Sequence, residues 1–199
     1  MTLKAKPKRI VGVLALQGDF SEHLVALRKL NIPAIEVRTI QDIEQTAGII
    51  LPGGESTVIG KLLISTGLKD WIITHAQSGY AVYGTCAGAI LIAQHVDSDY
   101  SLKLIDITVK RNAYGRQLDS FDEPLDSKQF PKLSGVFIRA PLIEHVGKDV
   151  QVLATHQQQP VLVQAGNILA SSFHPELTDN LEVHRYFANL VRWHFTVWT

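Results

Sequence analysis

The chain has a single cysteine, Cys86, in 199 residues. One thiol cannot close an internal disulfide, so the fold rests on packing, and the scarcity points to a reducing compartment, the cytoplasm. Excess charge is lacking as well. Lys+Arg and Asp+Glu both number 19, and a balanced chain lacks the one-sign field that draws nucleic acid. Long apolar runs are missing: none approaches the ~20 residues that a membrane span needs. The basic opening MTLKAKPKR has no apolar stretch behind it, which argues against a signal peptide. Residues 1–9 therefore read as a flexible basic leader. No Cys/His cluster shows metal-ligand spacing, so neither a metal nor a cofactor is expected. Repeats, low-complexity tracts and linkers are absent too, leaving residues 10–199 as one domain.

What is present is a chain of 46% hydrophobic composition, enough for a substantial core. Residues 10–16 (IVGVLAL), 34–37, 48–51 (GIIL) and 81–83 are apolar runs of strand length. Helical spacing separates them, over 19–30 (Phe20, Leu24, Leu27 and Leu30 on one face), 58–66, 68–77 and from about residue 87. Continuously apolar strands alternating with helices predict an α/β, three-layer, flavodoxin-like sandwich around a mainly parallel sheet. After about residue 97 the rhythm shortens. Additional short strands are expected over 105–109, 135–138, 150–154, 161–164 and 168–173, and Ala165-Gly166-Asn167 marks a hairpin. Residues 114–132 read as a polar surface loop and 180–198 as a terminal helix.

The lone cysteine stands in Gly84-Thr85-Cys86-Ala87-Gly88, a G-x-C-x-G pattern where a strand gives way to a helix. It is the cysteine counterpart of the G-x-S-x-G nucleophile elbow. Glycines two residues either side permit the close chain approach that a strained turn demands. A helix N-terminus favours thiolate and offers free N–H groups. The plainer alternative is a buried structural cysteine.

A thiolate nucleophile needs a base and a group to orient that base. Of eight histidines, His23, His75, His95 and His184 fall in predicted helices beside polar residues and look ordinary. His145 and His156 lie near strand ends. His174 is distinct, because Ser172-Phe173-His174-Pro175-Glu176 puts it at the end of an apolar strand with a carboxylate two residues on. In extended chain those two side chains share a side. A strand-end histidine beside a solvated glutamate is the alternative. A third element, Leu51-Pro52-Gly53-Gly54-Glu55-Ser56-Thr57, is a Gly-Gly turn between strand and helix. Its N–H groups can hold an oxyanion or a phosphate, although the P-loop spacing is absent. It also reads as a plain loop with Ser56 or Thr57 as helix cap.

These elements, in this order, resemble the class I, triad-type glutamine amidotransferases. LALQGDFSEH (14–23), LPGGEST (51–57), GTCAG (84–88), RNAYGRQLDSF (111–121), FIRAP (137–141) and SFHPELT (172–178) narrow the resemblance to the glutaminase subunits of pyridoxal 5′-phosphate synthases. It covers nearly the whole chain. Ala89 departs from it, where a larger apolar residue is the norm. The resemblance implies hydrolysis of L-glutamine, with Cys86 as nucleophile and His174 and Glu176 completing a triad. Gly54, Glu55, Ser56, Arg111, Ile138 and Arg139 match the family's glutamine-binding positions. Gly53, Gly54 and Ala87 would form the oxyanion hole, and Gln17 would control it. The implied partner is a (β/α)₈-barrel synthase subunit whose oligomeric core carries glutaminase subunits on its outside. Two rivals stay in view. A cysteine hydrolase or chaperone-like relative of the same superfamily would cleave peptide instead, and would place its supporting carboxylate elsewhere in the chain. A scaffolding subunit would not need Cys86, His174 and Glu176 together. For Arg111 and Arg139, ion pairing with Asp119 or Asp122 is the structural alternative.

Overall fold

The computed structural model describes residues 10–111 and 121–193. The expected leader, residues 112–120 and the end of the expected terminal helix lie outside these. In chain order the described residues form β1 (Val11–Leu14), α1 (Phe20–Lys29), β2 (Ala34–Val37), α2 (Ile40–Ile43), β3 (Gly48–Leu51), α3 (Ser56–Ser65), α4 (Leu68–Gln77), β4 (Ala81–Thr85), α5 (Ala87–Ile92), β5 (Ala93–Val96) and β6 (Ile105–Lys110). There follow β7 (Phe121–Pro124), β8 (Ser134–Phe137), β9 (Leu142–Val146), β10 (Gln151–His156), β11 (Gln159–Ala165), β12 (Ile168–Ser171), a 3-10 turn (Pro175–Leu177) and α6 (Glu182–Trp193).

Among the described residues the main sheet has seven strands in the order β10-β11-β12-β4-β3-β1-β2. From β2 to β12 every pairing is parallel, and β11 and β10 are antiparallel additions at one edge. Side-chain alternation sends each strand's residues to two cores. Ile49 and Leu51, Val82, and Ile168 and Ala170 face one core with Ile59 and Leu63 of α3, Leu68 and Ile72 of α4 and the whole of α5. Ile50, Ala81 and Tyr83, and Leu169 face the other, with Leu27 of α1 and Val183, Phe187 and Val191 of α6. This is the expected three-layer arrangement, with strands apolar throughout because both faces are covered.

Several elements differ from the sequence reading. Short α2 is nucleated by a capping box, in which Thr39 and Asp42 bond each other's backbone N–H groups. The segment expected to be a loop contains β7, which pairs antiparallel with β8 from Phe121↔Phe137 to Pro124↔Ser134. Strands β5 and β9 flank β6 in a separate small sheet; their half-exposed, polar patterns left no apolar run to read. His95 is therefore in a strand, not a helix.

The parallel strands β1, β3, β4 and β12 end together, so their loops converge at one edge, where α/β sheets hold their sites. That convergence depends on the packing of α6. Phe187 is fully buried with its ring 5.5 Å from that of Tyr83. Phe187→Ala should cost about 3–5 kcal/mol in denaturant unfolding; a loss below about 1 kcal/mol would mean that α6 is not the lid on this core.

Candidate active site

The loops after β1, β3, β4 and β12 build the centre of the site, and the loop after β8 reaches it. Cys86 sits between β4 and α5 at φ 48°, ψ −102°, a conformation costly for any L-residue. Its N–H is tied to the Ser171 carbonyl at 2.8 Å, which fixes the turn against β12. The flanking glycines are obligatory for steric reasons. A Cβ on Gly84 would lie 2.5 Å from the Gly88 carbonyl carbon, and one on Gly88 would run into the Leu51 carbonyl oxygen. Helix α5 is thus pressed onto the ends of β3 and β4, and the thiol is held at the head of the turn. The side chain is nearly buried, with Sγ 3.9 Å from the Ile138 carbonyl.

His174 follows β12, its N–H bonded to the Val136 carbonyl at 2.8 Å. Its Nδ1 donates to Glu176 Oε1 at 2.8 Å. The route differs from the expected extended one. Pro175 opens a 3-10 turn, and that turn, not a strand, brings Glu176 back onto the imidazole. Burial opposes a charge on His174, but its pairing with the Cys86 sulfur and with Glu176 prevails and lifts it to about 10. The sulfur and the carboxylate thus both favour the protonated form of the ring. Burial pushes the Glu176 carboxyl up, with hydrogen bonding to His174 opposing it.

The Gly-Gly turn lies against this pair. Gly53 packs so close to the His174 ring that a Cβ there would strike Cε1, and Gly54 has φ 150°. The Gly53 carbonyl accepts from Asp19 N–H at 3.1 Å. Gln17 Oε1 accepts from Glu55 N–H at 2.9 Å, so Gln17 reaches the turn as expected, although its bond is to the residue after the Gly-Gly peptide. The helix cap is Glu55, not Ser56 or Thr57: its carboxylate accepts from Thr57 N–H and Val58 N–H, both at 2.9 Å. These bonds hold the Glu55 carboxyl below its ordinary value. Ser56 is buried as the first residue of α3, and Ala87, also buried, is the first of α5.

Arg111 stands beside this cap, its guanidinium donating to Thr57 Oγ1 at 3.4 Å and lying 3.9 Å from Glu55 Oε1. Its neighbour is thus Glu55; Asp119 lies outside the described residues, as does most of the RNAYGRQLDSF segment. Ile138 and Arg139 are exposed on the loop after β8, with Arg139 at φ 46°. The Ile138 carbonyl ties that loop to Cys86.

Three residues escaped the sequence reading. Asp19 anchors the Gly53 carbonyl and places Oδ2 3.7 Å from His174 Nδ1. Asp19, His174 and Glu176 each offer an atom within 4.8 Å of the others; the His174 nitrogen in that group carries the proton given to Glu176. His23 and His184, read as ordinary helix histidines, are fully buried and bonded to each other at 2.9 Å. The signal was positional. His23 is four residues before Leu27, and His184 lies on the stripe of Ala188 and Val191, so both occupy core faces. On α1 the buried residues are His23, Ala26 and Leu27, and Phe20 and Leu24 pack, partly buried, against the same core.

Comparison with known proteins places these residues in a family. The model of the SNO glutamine amidotransferase family matches residues 13–192. A Pseudothermotoga lettingae protein named pyridoxal 5′-phosphate synthase subunit PdxT is 49% identical over 187 residues, spanning 90% of this chain and 94% of that one. A Haemophilus influenzae protein of the same name is 46% identical, spanning 92% and 98%. A crystal structure described as a glutamine amidotransferase superposes with TM-score 0.88 at 47% identity, covering 92% of this chain and 98% of that one. PurLQS from Thermotoga maritima, at 17% identity and TM-score 0.60 over 95% and 97% of the chains, shares the fold.

The buried histidine pair makes a prediction about stability. Burial pushes His184 down to about 4. Below its ordinary value near 6.5 the unfolded chain takes up a proton that the folded chain refuses. The associated stability is present above that pH and is lost as pH falls. Between pH 7 and pH 5 the loss for one such group is about 2 kcal/mol. Denaturant unfolding of the wild type should therefore weaken by about that much more than unfolding of His184→Gln. Parallel pH profiles would show that His184 is not held neutral.

Proposed function

Because the chain belongs to the SNO glutamine amidotransferase family, we propose that it is a glutaminase subunit of a pyridoxal 5′-phosphate synthase, hydrolysing L-glutamine to L-glutamate and ammonia. The observation that carries this reading is the Cys86 elbow, set beside an imidazole whose far nitrogen is bonded to Glu176 at 2.8 Å. The Cys86 thiolate attacks the side-chain amide carbon, and the carbonyl electrons move onto oxygen. The tetrahedral intermediate collapses by breaking the C–N bond, and His174 gives the leaving nitrogen its proton. Water then attacks the thioester while His174 takes back a proton, freeing glutamate and restoring the thiolate. Glu176 keeps His174 in the tautomer that points Nε2 at the sulfur and offsets the imidazolium charge. No cofactor or metal enters these steps.

Glutamine is held by the Gly54-Glu55-Ser56 segment, Arg111, Ile138 and Arg139. The Glu55 carboxylate is engaged as a helix cap and its N–H is bonded to Gln17, so this residue contributes to the site by shaping the turn. Arg111 grips the α-carboxylate, an anion that matches its forked donors. The oxyanion is met by N–H groups of the Gly53-Gly54 peptide and of Ala87. That hole is incomplete while the Gly53 carbonyl is bonded to Asp19 N–H. Reorienting the peptide breaks a single backbone hydrogen bond, a net cost of about 0.5–1.5 kcal/mol. Docking of the barrel synthase subunit supplies this, with Gln17 steadying the turned loop. Ammonia then passes to the barrel without escaping to solvent. The described residues contain no helix long and apolar enough to cross a membrane, and we place the complex in the cytoplasm, with glutaminase domains (10–199) arrayed on an oligomeric synthase core. Neither nucleic acid nor membrane takes part.

Cys86→Ala should abolish glutamate release while leaving the unfolding transition in place, since alanine fits the elbow. A Cys86→Ala protein that hydrolyses glutamine at the wild-type rate would remove the nucleophile from the scheme.

Arg111→Ala should weaken glutamine binding about ten- to a hundredfold, the worth of one charge-assisted bond. Calorimetry on the Cys86→Ala background measures it, and unchanged affinity would leave Arg111 as a partner of Glu55 and Thr57 alone.

Glutamate production at saturating glutamine should be near zero for the isolated chain and rise to a plateau as the barrel subunit is titrated in. Gln17→Ala should lower the plateau far more than the basal rate. Full turnover without the partner would show that the loop is already in its working form, and equal loss in both rates would mean that Gln17 serves substrate binding instead.

A further inference from the structure

Behind the triad, on the side away from Cys86, lies a second row of polar groups. His23 of α1 and His184 of α6 are fully buried, with His23 Nδ1 2.9 Å from His184 Nε2. His23 Nε2 is 3.2 Å from Thr85 Oγ1 and 3.5 Å from Glu176 Oε2. Two atoms in this row lack a hydrogen-bond partner among the described residues, Glu176 Oε2 and His184 Nδ1.

The protons can be placed from these facts. Burial, then the nearby His184 and His174, push His23 well below its ordinary value, and burial does the same to His184. Each ring is neutral and holds one proton. If His23 carried it on Nδ1, two faults would follow. Neutral His184 would then bear its own proton on Nδ1, a buried donor with no acceptor. The bare His23 Nε2 would also turn its lone pair toward a carboxylate oxygen. The opposite arrangement has neither fault. His184 Nε2–H donates to His23 Nδ1, His23 Nε2–H donates to Thr85 Oγ1 with the Glu176 Oε2 charge 3.5 Å away, and the unpartnered His184 Nδ1 is only a lone pair, the cheaper kind of orphan.

We infer that His23, its tautomer fixed by His184, is a positioning residue of the glutaminase that presents an N–H to the free oxygen of Glu176 and keeps that carboxylate ionised and aimed at His174. The inference rests on the glutaminase reading for its kinetic consequence, but not for the proton placement. Glu176 needs such a donor. It is buried with one oxygen bonded to His174, and the half-exposed Asp19 carboxylate and the Tyr83 side chain also face this region. Asp19 disfavours a second negative charge, and Tyr83 is neutral and bonded to the Ser171 hydroxyl at 2.9 Å. His23 also touches Thr85, the residue before the nucleophile, so one ring braces both ends of the triad.

Two measurements test this. Nitrogen-15 long-range correlation spectra of the wild type at pH 7 should show His23 protonated on Nε2 only; protonation on Nδ1 overturns the inference whatever the enzyme does. In the complex with the barrel subunit, His23→Leu should lower kcat about ten- to a hundredfold with KM little changed. It should also move the acid limb of the kcat profile to higher pH, because an unsupported Glu176 takes a proton sooner. His23→Gln, which restores an N–H donor, should recover most of the turnover and move the limb back. A His23→Leu enzyme with normal kcat and an unmoved acid limb, or one whose loss is all in KM, overturns the role. Where His23→Leu does not fold, the tautomer and His23→Gln decide. A wild type that releases no glutamate with its partner defeats the glutaminase reading instead, and the spectra still judge the His23 assignment.

Discussion

Everything in the site hangs on how closely α5 approaches the strand ends. With no side chain at Gly88, the helix backbone rests against the Leu51 carbonyl, and with none at Gly84 the strand end rests against Gly88. That double contact leaves Cys86 no relaxed conformation. It is held at φ 48°, ψ −102° by Ser171 on one side and by the helix on the other. A residue so constrained costs of order 1–3 kcal/mol, and the apolar surface of α5, every residue of which is buried, is what keeps it there. Packing and one backbone hydrogen bond together place Cys86.

The same edge explains why histidine and carboxylate meet the sulfur. Strand β12 pairs with β4 in parallel register, Ser171 opposite Thr85. Chain leaving β12 therefore emerges beside chain leaving β4. His174, three residues past that pair, falls next to Cys86, because adjacent strands lie only about 4.8 Å apart. Order in the sequence, with the cysteine about ninety residues before the histidine, thus becomes adjacency in space through a single strand pairing.

Legibility followed the kind of pattern involved. Strands buried on both faces declared themselves as apolar runs, and the elbow, the Gly-Gly turn and the His-Pro-Glu triplet were local enough to read from neighbouring residues. Strands β5, β7 and β9 were not, because half-exposed strands in small sheets carry no continuous apolar run; burial in β5 reads as one buried residue followed by exposed ones. The helix cap escaped because Glu55 does through its carboxylate what Ser or Thr usually does. The His174–Glu176 contact was foreseen for the wrong reason: a proline-initiated 3-10 turn, not an extended strand, brings them together.

The buried histidine pair marks where reading along the chain stops being sufficient. His23 and His184 are separated by 161 positions, and each alone is an unremarkable polar residue on an amphipathic helix. Their meaning comes from the sheet between them. Helices α1 and α6 cover the same face, and both histidines lie where that face reaches the end of β4. In a low-dielectric interior an imidazole is a liability wherever one of its nitrogens goes unpaired. Two of them, with Thr85, satisfy each other's facing nitrogens, leave a bare lone pair on His184 Nδ1 at the far end and set a donor 3.5 Å from the unpartnered Glu176 Oε2. The apolar layer that stabilises the fold is thereby interrupted beside the buried Glu176 carboxylate.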